Sequence, residues 1–497
     1  MQIESYRKRM ESFGQDLGLE LYRYHSGHKE QVELTALYSD NSDLFSSESI
    51  QEVKTELDGT SEGFSSRRRS LKKIHQFLID QHLEYRATSP AQELIRRMGT
   101  AAFSWNGKTV SVSRIPIQFQ NESEASRRLK LSELYAGALG DTEETVHEKL
   151  SLQRSASAAL GFRSYLQARE YISGVDYSGF LNAVDDALGR LDYSYLERLR
   201  VSVESTLGVP LQETGSWDVA RWIKLNDPEN AFPVKGLIPI LKATVEELNI
   251  SPETPDAIEF DLDCREGKRT RPICIPIRVP QEIKVLLCPE NGSRHYGAFL
   301  HESAHAYHFA WTGASILIED RIWGDRAVSE SYAFLFERFL LEPEWLARRL
   351  SFVKSADFLR FQLLYREFLV RRYAGRLRFA LQLYGEGMPG DLPYAFADIM
   401  QSYTGFLHHP EYWVTHAFDG VEAADYLRGW ILECVLREYL CRRYGKAWMQ
   451  NRSAAGFLKE IWETGQLYSA DELAREIGAG CLDPQILADD LSGGARC

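Results

Sequence analysis

The chain has 497 residues, 44% of them hydrophobic and 26% charged, with a formal net charge of −13. That length can bury a large core and suggests two to four domains or lobes. The acidic balance argues against nucleic acid or an anionic membrane surface as the main partner. Residues 1–11 lack the apolar core of a signal peptide, and no stretch approaches the ~18 apolar residues needed to span a bilayer. The seven cysteines, Cys264, Cys274, Cys288, Cys434, Cys441, Cys481 and Cys497, are odd in number and form no Cys-x-x-Cys pair. They are expected to be reduced thiols in a cytoplasmic protein. Cys434 and Cys441, seven apart on a predicted helix, read as core packing.

Taken in chain order, residues 1–200 carry helical periodicity, clearest over 66–84 and 178–206, where apolar residues recur three and four apart. This predicts an N-terminal helical lobe over 1–205. The run Arg67-Arg68-Arg69 reads as a solvated helix face, and 59–66 as a loop. The pattern changes near 257. Ile258-Glu-Phe-Asp-Leu-Asp-Cys, Ile273-Cys-Ile-Pro-Ile-Arg-Val and Glu282-Ile-Lys-Val-Leu-Leu-Cys alternate apolar and polar residues. They predict three short strands with turns around Gly267 and Pro280. Pro276 inside such a run argues for an edge strand. From 296 onward the chain is helical again, apart from loops near 313–324, 385–393 and 404–420. The expected fold is mostly α, with a second lobe over 206–497 that contains a small β-sheet.

Just after the sheet comes His301-Glu302-Ser303-Ala304-His305. Residues i and i+4 share a helix face, so both imidazoles can point at one metal ion. Glu302 sits about 100° around the helix, where its carboxylate can take a proton from a zinc-bound water. This is the arrangement of a zinc hydrolase of peptide bonds. The flanks, Tyr296-Gly-Ala-Phe-Leu and Ala306-Tyr-His-Phe-Ala-Trp, are apolar and aromatic. Two histidines and a glutamate in a buried helix need partners, which a metal or a structural hydrogen-bonded cluster would supply. An edge strand beside such a helix can hold an extended peptide by main-chain hydrogen bonds.

A catalytic zinc takes three protein ligands and keeps one position for water. A new helix begins near Asp325, and Glu330 lies in its first turns among apolar neighbours. Glu330 is read as the third ligand of one zinc ion per chain. Glu337, two turns further along the same face, is read as a carboxylate orienting a ligand imidazole, with a surface pair to Arg338 or Arg321 as the alternative. His308 reads as a hydrogen-bonded core histidine.

His301-Glu-Ser-Ala-His305-Ala-Tyr-His308, followed by Glu330 and Glu337, resembles the thimet oligopeptidase and oligoendopeptidase F family of zinc peptidases. In that family a glutamate follows the second histidine by 25 residues and another comes seven later. Asp261-Leu-Asp-Cys-Arg-Glu-Gly-Lys268 is similar to a family strand. His416-Ala-Phe-Asp-Gly420 and Tyr426-Leu-Arg-Gly-Trp430 are similar to the family's histidine, glycine and tyrosine segment. The resemblance is specific over roughly 215–495; over 1–200 only the helical character matches. It implies a divergent member with a helical bowl split by a deep substrate channel, zinc at its floor, and short or unfolded peptides as substrates. His416 matches the family's substrate-contacting histidine, with a loop residue without a role as the alternative, and Tyr426 keeps the fourth tyrosine position of that segment.

Three family tyrosine positions hold Val421, Asp425 and Arg428 here. Arg428 could bring positive charge to an oxyanion if it faces the zinc. His408, His409 and Tyr412 could also stand in for the missing phenols. The expected activity is hydrolysis of short peptides by a metalloprotease. The alternatives are a dedicated processing protease for one partner or precursor and a catalytically weak zinc-containing peptide-binding protein. The intact Glu302 favours an enzyme.

Overall fold

A computed structural model describes residues 3–494, except 62, 64, 270, 388, 389, 418 and 419. The chain is mostly α-helical, with one hairpin and one three-stranded sheet among the described residues. The helices that matter for the site are α1 (Ile3–His25), α2 (Ser65–Thr100), α3 (Ser293–Trp311), α4 (Arg326–Glu337), α5 (Ala356–Tyr384) and α6 (Ala423–Tyr444). The periodicity over 66–84 continues through Pro90 to the end of α2. The expected helix over 178–206 is instead two, Tyr177–Gly189 and Asp192–Leu207. The break falls after Gly189, a weak helix former.

The hairpin pairs β1 (Ala102–Trp105) with β2 (Lys108–Ser111), inside the stretch expected to be helical. Its turn is Asn106-Gly107, both at positive φ. Asn-Gly tolerates that backbone at low cost and is a strong local hairpin signal.

The larger sheet has the order β3–β5–β4, with β3 (Ile258–Asp261) parallel and β4 (Ile273–Arg278) antiparallel to the central β5 (Glu282–Leu286). Pro276 lies on the edge strand β4, where its missing N–H is tolerated. Alternation gives the sheet two apolar faces. Ile275, Ile277 and Leu286 meet Leu19, Leu21 and Tyr22 of α1, whereas Ile283 and Val285 meet Ala306 and Phe309 of α3. The sheet is therefore clamped between α1 and the helix that carries the two histidines.

The segment after β3 is a structural latch. Asp261 accepts hydrogen bonds from Arg265 and from Lys268 Nζ at 2.9 Å, and Lys268 also reaches the Leu287 carbonyl at 3.0 Å. Because β3 and β5 run parallel and adjacent, their following residues meet. Cys264 and Cys288 form a disulfide there, with a Cα–Cα distance of 5.0 Å. This corrects the expectation of reduced thiols. Twenty-four residues of sequence separate the pair, and only the strand pairing brings them together. Cys274, Cys434 and Cys481 are free.

The largest apolar core joins both ends of the chain: Met10, Phe13, Leu71, Phe77 and Leu78 pack with Leu377, Trp413, Leu427 and Trp430. A second core unites α3, α4 and α6 through Phe299, Leu300, Tyr332, Phe336, Leu432 and Leu436. No described helix is long and apolar enough to cross a membrane.

Candidate metal centre

His301 and His305 occupy one face of α3, and Glu330 reaches them from α4. Asp325 starts α4 by accepting a hydrogen bond from the Ala327 N–H at 3.1 Å. That fixed start places Glu330 one and a half turns into the helix, opposite the two imidazoles. One ligand atom from each of His301, His305 and Glu330 lies within 4.8 Å of the others. The two Nε2 atoms are 3.3 Å apart, and they sit 3.4 Å (His301) and 3.8 Å (His305) from the Glu330 carboxylate.

The donor set fits a metal ion. Glu330 Oε2 is buried, and its 3.4 Å contact with His301 does not satisfy it as a hydrogen bond. Two imidazole nitrogens and a carboxylate oxygen in one half-buried spot match in kind and number the protein ligands that a catalytic zinc takes. Charge within the group is uneven. Burial opposes charge on His301, but Glu330 and Glu337 outweigh it and raise its pKa well above the usual range. His305 is pushed down to about 4 by burial, against Glu330.

Gly429 sets how closely α6 approaches. A Cβ at that position would lie 2.7 Å from Glu330 Cβ and 3.3 Å from the Phe334 ring. Sequence reasoning quoted Gly429 only as part of a motif. Its role depends on the packing of α4 against α6.

The far nitrogens of both imidazoles are held as well. Glu337 accepts from His301 Nδ1 at 3.3 Å. His305 Nδ1 is 2.8 Å from the Ser329 hydroxyl, which is also 3.1 Å from His308 Nδ1. His308 is fully buried, in keeping with a hydrogen-bonded core histidine. Ser329 escaped sequence reasoning because a helix serine beside a glutamate carries no signal of its own.

Glu302 faces β4 rather than α4. Burial raises its pKa, and Glu330 adds to the rise. His301, the Cys274 N–H and Arg271 oppose it. A carboxylate with a raised pKa is a better proton acceptor than an ordinary one. Arg271, just before β4, was also missed by the sequence reading. It lies within electrostatic reach of Glu302 and Tyr426.

The remaining expected residues separate into two groups. Tyr426 is near the centre: Glu330 is the foremost cause of its raised pKa, and its ring packs on Tyr373 at 4.6 Å and Phe334 at 6.3 Å. The His416 ring packs at a tilt on Phe396 at 4.7 Å, and its buried Nδ1 has no hydrogen-bond partner among the described residues. Burial, Arg376, Arg372 and His408 hold it neutral. Phe418 and Asp419 of its motif lie outside the described residues. His409 and Tyr412 turn to Ser132, at 2.8 and 3.4 Å, and His408 contacts Thr404 at 3.3 Å.

Arg428 faces away from His301, His305 and Glu330. Two residues on a helix are about 200° apart, so with Tyr426 toward Glu330, Arg428 points to the far side of α6. Its guanidinium grips Asp325 at 2.9 and 2.6 Å and reaches Asp471 at 3.2 Å. The oxyanion role offered by the sequence is therefore replaced by a buried ion pair that pins the start of α4. Burial works against the Asp325 charge, but Arg428 and the N–H groups of Ala470 and Ala327 outweigh it and lower its pKa. Arg428→Ala should destabilise the fold by about 3 kcal/mol near neutral pH, because it leaves a buried carboxylate unpaired. A carboxyl with a lowered folded pKa stabilises above its unfolded value of about 3.9, and that stability is lost as pH falls through the folded value. Chemical denaturation at pH 7 and pH 3 should thus show the variant's deficit shrinking in acid.

No protein-family model and no curated protein matches the chain. Solved structures do. A protein described as an oligoendopeptidase F from Bacillus anthracis str. Ames aligns over 97% of this chain and 88% of its own, with TM-score 0.66 and 16% identity. PZ peptidase A, solved with an inhibitor, aligns over 99% and 86%, with TM-score 0.68 and 15% identity. A third structure, BsuCP, aligns over 99% and 97%, with TM-score 0.58 and 13% identity. The chain shares their fold. The likeness runs through the N-terminal helices as well, where the sequence offered only helical character.

Proposed function

We propose that this chain is a zinc-dependent peptidase of the oligoendopeptidase type, acting on short or unfolded peptides. The observation that carries the reading is the convergence of His301, His305 and Glu330, with Glu302 beside them, in a fold shared end to end with proteins named as peptidases. His301, His305 and Glu330 would hold one zinc ion. Bound there, it supplies a Lewis acid for the scissile carbonyl and for the attacking water.

The protein's own groups do the rest. Glu302 accepts the proton of the attacking water and passes it to the leaving amine. The Tyr426 phenol, kept protonated by its raised pKa, donates a hydrogen bond to the developing oxyanion. His416, held neutral, contacts the substrate backbone. An extended peptide lies along the β4 side of the centre, where Glu302 faces Cys274. A cytoplasmic address belongs to this reading, although the Cys264–Cys288 pair argues against a strictly reducing compartment. Free thiols at both positions in protein isolated without reductant or air would favour it.

The test is a mixed peptide library incubated with purified protein, with chelator, and with chelator followed by zinc. Cuts read by mass spectrometry should vanish with chelator and return with the metal. Cleavage that ignores chelator removes the metal from the proposal.

A further inference from the structure

The hydrogen bonds around Ser329 have a direction that their chemistry fixes. The Gly465 carbonyl can only accept, and it lies 3.3 Å from His308 Nε2. That nitrogen must carry the hydrogen, so in the neutral ring Nδ1 is a bare acceptor. Among the described residues the donor that reaches it is the Ser329 hydroxyl at 3.1 Å, which spends its single hydrogen there. Ser329 Oγ is then an acceptor toward His305 Nδ1 at 2.8 Å, so Nδ1 carries the hydrogen of that ring as well. The consequence arrives at the far nitrogen: His305 Nε2 has an uncommitted lone pair aimed at His301 and Glu330.

We infer that Ser329 is a positioning residue, the middle of a Gly465–His308–Ser329–His305 relay that locks the ligand imidazole in its metal-binding tautomer. The inference rests on the reading of His305 as a ligand. It assigns a task to His308 beyond core packing, and it explains why a serine and a histidine are both buried here, at 4% and 0% exposure. Each would cost stability if its polar atoms were unpaired. The relay also ties the centre to a remote segment, because Gly465 follows the helix Arg452–Glu463 and its N–H is held by the Trp462 carbonyl. His301 reaches the same tautomer more simply, through Glu337. The two ligands are thus oriented by different devices, one carboxylate and one hydroxyl relay, and only the second depends on a donor-acceptor order. Partners of this kind typically hold 10–100-fold in metal affinity.

Zinc affinity measured by competition with a chromophoric chelator tests the relay without any substrate. Ser329→Ala should weaken zinc binding about 10–100-fold, with the apo protein still folded by circular dichroism. Ser329→Thr, which keeps the hydroxyl, should recover most of the loss. His308→Phe should also weaken binding, and the Ser329→Ala/His308→Phe double variant should bind no worse than Ser329→Ala alone. Nitrogen-15 spectra of the apo protein should show His305 as the Nδ1–H form, and a tautomer mixture in Ser329→Ala. Wild-type affinity in Ser329→Ala, fully additive losses in the double variant, or an unchanged His305 tautomer would each overturn the relay. If wild-type protein itself binds no zinc, the reading of the metal centre fails instead, and the two failures are told apart by that first measurement.

Discussion

Replacing Glu302 by glutamine should leave the fold and bound zinc intact while lowering kcat by about 10²–10⁴-fold. The amide matches the carboxylate in shape but cannot accept the water's proton. The structure makes this a clean substitution. Glu302 is not among the three groups that converge on the metal position, and it faces the Cys274 N–H and Arg271 instead. Glutamine can still accept a hydrogen bond from that N–H, so the local geometry should hold. Stopped assays on one well-cleaved peptide, with zinc content measured on the same sample, decide the matter. Near-wild-type turnover would remove Glu302 as the base and direct attention to another proton acceptor.

The second large effect is expected from Glu330→Ala. Losing a direct ligand should cost more metal affinity than the roughly 10–100-fold that an orienting partner holds, and activity should fall with occupancy. His301 and His305 would remain, 3.3 Å apart at Nε2, with no carboxylate to balance a dication. The variant also opens space beside Gly429, which meets Glu330 at close range. Glu330→Gln fills that space without restoring the charge, so it separates packing from ligation. Both variants should retain near-wild-type secondary structure, and both should show low zinc by elemental analysis after dialysis. Full zinc retention in Glu330→Ala would send the third-ligand assignment to another carboxylate.

Much of the centre was legible because its grammar is local. The i, i+4 spacing of His301 and His305 is helix geometry and needs no tertiary information. The alternating runs that became β3, β4 and β5, and the edge position of Pro276, follow from period-two patterning and a missing N–H. Glu330 drew notice as a carboxylate among apolar neighbours in the first turns of its helix, and Glu337, seven residues and two turns on, shares its face. In the N-terminal half the Asn106-Gly107 hairpin was also written locally, but it was passed over amid helical periodicity.

What the tertiary structure decided was orientation across elements. Arg428 and Tyr426 are two residues apart, and sequence offers no way to know which side of α6 meets α4; the packing at Gly429 turns Tyr426 inward and gives Arg428 to Asp325. The Cys264–Cys288 bridge depends on β3 and β5 being parallel neighbours, a pairing that strand patterns do not specify. Ser329 gains its place in the relay only because α3 and α4 pack with His305 and His308 both reaching one hydroxyl. Periodicity fixes which residues share a face of one element. Which face meets which is settled by the burial of a shared core, and that is a property of the whole chain.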